Sequence, residues 1–131
     1  LGIVKFLKQL QTERNIAFLF ITHDLSLAWL ISDRIAILYL GKIMEIGTAN
    51  QIVKNCKHPY ALALMDVMPI PGMTREEGRH ILGGDIPSAA EEIPGCKFFG
   101  RCPHAMDICK TAIPDGKEVE PGHIVYCHMN F

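Results

Sequence analysis

The chain has 131 residues, with 13 Lys and Arg against 14 Asp and Glu and a formal net charge of −1. That balance, with no basic run or basic face, excludes an electrostatic nucleic-acid surface. Apolar residues make up 49%, enough for one modest core or the end of a larger domain, yet no stretch reaches the roughly 18 uninterrupted apolar residues of a membrane-spanning helix. No basic-then-apolar leader precedes the first element. The chain opens on Leu1 inside a helical pattern, which sets the expectation of a natural start upstream.

Residues 1–14 are predicted as a helix, because Ile3, Val4, Leu7 and Leu10 recur at helical spacing on one face. Asn15, tolerant of a left-handed turn, ends it. IAFLFIT, 16–22, is a short continuous apolar run and reads as a strand buried on both faces of a parallel sheet. A helix over 24–31 follows, with Leu25, Ala28 and Trp29 inward, then an apolar strand over 34–40. Gly41-Lys42 makes a short turn into a hairpin partner at 42–47, and Thr48 caps a helix carrying Ile52 and Val53. The order helix, strand, helix, strand, strand, helix reads as the end of an α/β domain.

The character changes at His58-Pro59. Pro59 suits the first position of a helix running to Met68, where Pro69, Pro71 and Gly72 stop it. His58-Pro59-Tyr60 could be taken for a ligand site, but the stronger reading is that Pro59 starts the helix and Tyr60 packs over the preceding hairpin. Residues 69–95 read as an ordered but irregular connection. The final stretch, 96–131, has too few large apolar residues for its own core, so a metal or cluster is a candidate for holding it together.

Five cysteines occur: Cys56, Cys96, Cys102, Cys109 and Cys127. Without a secretory leader, a metal or cluster role outranks disulfides. The last four are spaced Cys96-x5-Cys102-x6-Cys109-x17-Cys127. Structural zinc draws on pairs two to four residues apart; none is present, so zinc is disfavoured, whereas four thiolates at looser spacing can hold an iron–sulfur cluster. The alternative is reduced, buried thiols with a small helix between Pro103 and Cys109. His104, His123 and His128 stand as substitute ligands or as structural histidines. Cys56 lies apart from the group and reads as a plain thiol.

His23 directly follows the apolar run. In open α/β sheets, ligands meet the C-terminal ends of strands, and an imidazole there can donate to a phosphate oxygen and contact an attacking water. It could equally serve as a helix cap. Taken with its neighbours, Thr22-His23-Asp24, Ser32-Asp33-Arg34, Gly41-Lys42-Ile43 and Glu45-Ile46-Gly47 resemble the switch-histidine region of ABC transporter ATPases. The resemblance implies that His23 senses the γ-phosphate and that the Asp33-Arg34 pair and the 41–47 hairpin are structural. A phosphate-cradling loop ending in Gly-Lys-Ser/Thr, the Leu-Ser-Gly-Gly-Gln signature and the strand ending in Asp-Glu do not occur in the chain. The resemblance puts these upstream, so the chain alone is expected to be inactive.

Downstream, His58-Pro59-Tyr60-Ala61, Ala63-Leu64, Pro69-Ile70-Pro71, Gly84-Asp85-Ile86-Pro87-Ser88, Gly95-Cys96, Arg101-Cys102-Pro103, Cys109, Pro121-Gly122-His123 and Cys127-His128 resemble the C-terminal extension of oligopeptide, dipeptide and nickel importer ATPases. The fold this implies is α/β: the C-terminal end of a P-loop NTPase-type ABC ATPase domain over 1–55, plus a small irregular cysteine-containing extension over 56–131. By resemblance the function is energy coupling for peptide import. ATP and Mg would serve the full-length subunit, and Cys96, Cys102, Cys109 and Cys127 would hold a [4Fe–4S] cluster. Implied partners are a second ATPase subunit, two transmembrane permease subunits and, indirectly, an extracytoplasmic peptide-binding protein. The implied location is peripheral, on the cytoplasmic face of the cell membrane. The rivals are a stand-alone iron–sulfur or zinc module and an inactive truncated gene product.

Overall fold

A computed structural model describes residues 2–68, 82–88 and 90–131. Pro69-Ile70-Pro71 and most of the 69–95 connection therefore lie outside the described residues. Helix α1 spans Gly2–Arg14, and Asn15 follows at φ 50, the left-handed turn expected of it. Helix α2, Leu25–Ile31, starts where Asp24 Oδ1 accepts the Leu27 N–H at 3.0 Å, a side-chain N-cap.

Strands β1 (Arg34–Tyr39) and β2 (Lys42–Thr48) form the expected hairpin. The two residues between them, Leu40 and Gly41, both have positive φ, at 46 and 75; this backbone matches the right-handed twist of the flanking strands. A bulge between Ile37 and Leu38 breaks the register, so Ile37 faces Glu45 and Leu38 faces Ile43. The bulge leaves Met44 as the extra residue on β2. Strict alternation would bury only one of Met44 and Glu45; here both are buried.

Thr48 caps helix α3 (Ala49–Asn55) with a full capping box. Its hydroxyl accepts the Gln51 N–H, and Gln51 Oε1 accepts the Thr48 N–H. Helix α4 (Pro59–Asp66) begins on Pro59, as the sequence predicts. Its first core combines Ile35 and Ile37 of β1, Ile52 and Val53 of α3, and Ala61 and Met65 of α4. Complete burial of a side chain such as Ile52 contributes about 1.5–3 kcal/mol.

Three expectations are corrected. Residues 16–22 are not a strand, and Leu19 and Ile21 are 91% and 95% exposed. An apolar run becomes a buried strand only when neighbouring strands take its amides and carbonyls and cover both faces, and no described residues do so. Nor does α1 bury any residue.

Second, the sheet is antiparallel, in the order β1-β2-β4-β3. Third, the cysteine-bearing stretch is more regular than its sparse apolar content suggests. A 3₁₀ turn over Phe99–Arg101 and helix α5 (Ile108–Thr111) precede strands β3 (Gly116–Glu120) and β4 (His123–Tyr126). The helix placed between Pro103 and Cys109 sits later, with Cys109 in its first turn. β4 pairs with β2 through Glu45–Val125 and Ile46–Ile124, so the extension borrows an existing edge in place of a core of its own.

Among the described residues no helix is long and apolar enough to cross a membrane.

Candidate functional site

His23 occupies a short backbone knot. The Asp24 N–H donates to Thr22 Oγ1 at 3.0 Å, while Asp24 Oδ1 caps α2. Capping thus falls to Asp24, and the His23 side chain is left exposed at the entrance to α2. Short polar side chains that satisfy nearby amides produce this geometry locally, without tertiary support.

The four clustered cysteines lie close enough to influence one another's charge. Cys96 and Cys109 are buried in a second core with Tyr39, Met44 and Phe98, and Cys102 is packed against it. The Cys96 N–H donates to the Cys109 carbonyl at 2.8 Å. Gly95 makes the approach possible: a Cβ there would lie 2.1 Å from the Cys109 carbonyl oxygen. Cys127, at the end of β4, is buried as well, and Cys56 is buried in the first core.

Burial is the main cause that pushes up the pKa of the Cys96, Cys102 and Cys127 thiols, and the neighbouring cysteines of the set add to it. Backbone amides act the other way: those of Phe98 and Phe99 on Cys96, of His104 on Cys102, and of Met129 and His128 on Cys127. All five cysteines are free of disulfides. The buried Tyr39 hydroxyl has no hydrogen-bond partner among the described residues, although its ring is packed edge-on against Tyr60 and Phe98, with centroids 4.9 and 5.2 Å away. Among the described residues no three His, Cys, Asp or Glu side chains are arranged to hold a metal ion.

The candidate substitute histidines are engaged elsewhere or exposed. His104 is exposed, His128 Nε2 meets the Ala112 carbonyl at 2.8 Å, and His123 goes to Glu45. The Glu45–His123 pair is the feature that sequence reasoning missed. Glu45, fully buried, accepts the Lys57 N–H at 2.9 and 3.0 Å and the His58 N–H at 2.8 Å, and meets His123 Nε2. His123 Nδ1 is 3.7 Å from Glu120 Oε2. Glu45-Ile46-Gly47 and Pro121-Gly122-His123 were both visible as motifs, but nothing local joins them.

His58 takes a capping role. Its Nδ1 accepts the Tyr60 N–H at 3.0 Å, and burial lowers its pKa to about 4. The ring is thus neutral and serves as the N-cap of α4, in keeping with the structural reading of His58-Pro59-Tyr60. Tyr60 packs edge-on against Tyr39 of the hairpin, as expected.

Comparison with known proteins fits this architecture. Residues 44–109 match the model of the family described as oligopeptide/dipeptide transporter, C-terminal region. The oligopeptide transport ATP-binding protein AppF of Bacillus subtilis is 42% identical over 132 residues, covering 97% of this chain and 39% of that protein. A Brucella ovis protein named for peptide import and ATP binding is 43% identical over 125 residues, covering 95% of this chain and 39% of its own. YkfD of Bacillus subtilis, named for oligopeptide transport and ATP binding, is 43% identical over 129 residues, 97% of this chain and 39% of its own. The chain thus spans about two fifths of the length of these relatives. It belongs to the oligopeptide/dipeptide transporter family of ABC ATPases and corresponds to their C-terminal region.

Proposed function

We propose that this chain serves as the C-terminal part of the ATP-hydrolysing subunit that powers peptide import, and that His23 is its contact to the γ-phosphate. The observation that carries the reading is the 42% identity to a named oligopeptide transport ATP-binding protein across 97% of the chain. The exposed position of His23, held between Thr22 and Asp24, supports the assignment, because a ligand-sensing imidazole must be fixed in backbone yet open to ligand. The phosphate loop, magnesium contact and catalytic base belong to the rest of the subunit. In this reading residues 1–55 complete the nucleotide domain and 56–131 form the extension. The partners are a second ATPase subunit and two membrane permease subunits, with the peptide-binding protein engaged through them. Association with the cytoplasmic face of the membrane is peripheral.

The extension carries, in the same reading, a [4Fe–4S] cluster on Cys96, Cys102, Cys109 and Cys127. Four mutually interacting thiols, backbone amides directed at three of them, and the orphaned Tyr39 hydroxyl in the same core suit a sulfur-rich group that accepts hydrogen bonds. Bound there, the cluster would supply a cross-link among four separate stretches of chain.

The test is His23→Ala in the full-length subunit assembled with its permeases. Hydrolysis is expected to fall by about 10²–10³-fold, as when one transition-state donor is lost, while ATP binding persists. Unchanged hydrolysis would remove His23 from the γ-phosphate. Iron and acid-labile sulfide in the same anaerobic preparation test the cluster separately.

A further inference from the structure

Three distant stretches, 41–44, 95–97 and 113–116, enclose with Tyr126 a cleft of about 410 Å³. That is the size of a small-molecule site, which pairs apolar walls with a few placed polar groups. Met44 and Pro114 form buried parts of the lining, and Ile43 and Ile113 border it while remaining 38% and 65% exposed. Neither isoleucine finds the cover that its apolar surface favours.

The charged lining residues are Lys42, Lys97 and Asp115. Lys97 Nζ donates to the Ile93 carbonyl at 3.1 Å, so one ammonium is already held in place with donors to spare. Lys42 and Asp115 form no ion pair among the described residues. Two cations and one anion thus stand around an apolar floor, with the Asp115 and Lys42 charges unspent. The complement of that arrangement is a molecule with a carboxylate, an ammonium and an apolar body.

We propose that this cleft binds an apolar α-amino-acid zwitterion, either as the free amino acid or as a short peptide. Its carboxylate meets Lys42 and Lys97, its ammonium meets Asp115, and its side chains cover Ile43 and Ile113. Cys96 is part of the cleft's wall.

The test is calorimetric titration of the full-length subunit with leucine, with the dipeptide Leu-Leu, and with Leu-Leu blocked by N-acetylation and C-amidation. The expected result is binding of at least one free zwitterion and loss of binding for the blocked peptide. Lys42→Ala and Asp115→Asn are each expected to weaken binding about tenfold, as for loss of a hydrogen bond to a charged group. Both positions are exposed, and thermal melting confirms that the variants fold. Equal binding of leucine and Leu-Leu assigns the site to amino acids; binding of Leu-Leu alone assigns it to peptides. Absence of binding by every probe to folded wild type overturns the proposal. So does binding that ignores both substitutions or the terminal blocks.

Discussion

The Glu45 carboxylate and the His123 imidazole meet at 2.5 Å across 78 residues of chain, and neither side chain is exposed. Glu45 also receives two backbone amides from the start of α4. Glu120, beside His123, accepts from Asn55 at 2.8 Å and Gln51 at 3.3 Å. One buried carboxylate therefore ties together β2, α4 and β4, and a partly exposed one, Glu120, ties β3 to α3. Removing one partner leaves the other, a buried polar group, short of a hydrogen bond, which costs about 1–3 kcal/mol. His123→Ala in the full-length subunit should speed amide exchange throughout β3 and β4 while sparing α2. The double variant with Glu45→Ala should be less destabilised than the sum of the two single variants. Additive effects would mean the contact carries no coupling energy.

Thr48→Ala should cost about 1 kcal/mol, the usual loss when a helix N-cap hydroxyl is removed. Its hydroxyl serves the Gln51 amide at 3.2 Å, and among the described residues no other side chain accepts from that amide. A urea midpoint indistinguishable from wild type would mean that water replaces the hydroxyl without loss.

Acid should destabilise the α4 region through His58. Its pKa falls from 6.5 to about 4 in the fold because burial disfavours the charged ring. Between those values the unfolded chain binds a proton that the folded chain refuses, so stability rises with pH across the window and is fully present above about 6.5. The contribution lost on descending through it is about 3 kcal/mol. His58→Asn, which keeps a capping acceptor and removes the titration, should flatten the pH dependence of the urea midpoint between pH 4 and 6.5. Parallel curves for the two proteins would refute the assignment.

Gly95→Ala should scatter the cysteine group. The new methyl would lie 2.1 Å from the Cys109 carbonyl and 2.8 Å from that of Lys110, so the Cys96 and Cys109 backbones must separate. With the proposed cluster on these thiols, anaerobically purified variant should hold much less iron than wild type, with circular dichroism of the remainder unchanged. Retention of the full iron content would show that the thiols do not depend on this approach.

Much of the fold was legible because it is locally encoded. Asp24, Thr48 and Pro59 each start a helix by chemistry contained within a turn of chain, and β1 and β2 are joined by a two-residue turn. The run 16–22 misled because its composition describes a strand in a sheet whose other members no described residue provides. β3 and β4 were missed for a related reason. GKEVE is too polar to announce itself, and four residues of β4 gain their regularity only by pairing with β2 and β3. The thiols could be found by counting and His23 by its neighbours. The Glu45–His123 pair could not, since a contact 78 residues apart leaves no periodic trace in sequence.

That same separation orders events during synthesis. Residues 34–66 can build the hairpin and both following helices as they emerge, because the β1–β2 pairing and the packing of α3 and α4 against it lie within that stretch. The inner edge of β2, however, stays open until β4 arrives, and Glu45 must wait with its hydrated charge for a histidine translated several seconds later at 5–20 residues per second. Contacts of such long range are slow to form because loop closure must precede their reward. The last residues of the stretch are thus the ones that close its sheet, and a ribosome that stalls before His123 leaves behind a hairpin with an unsealed edge, the kind of surface that chaperones and proteases recognise.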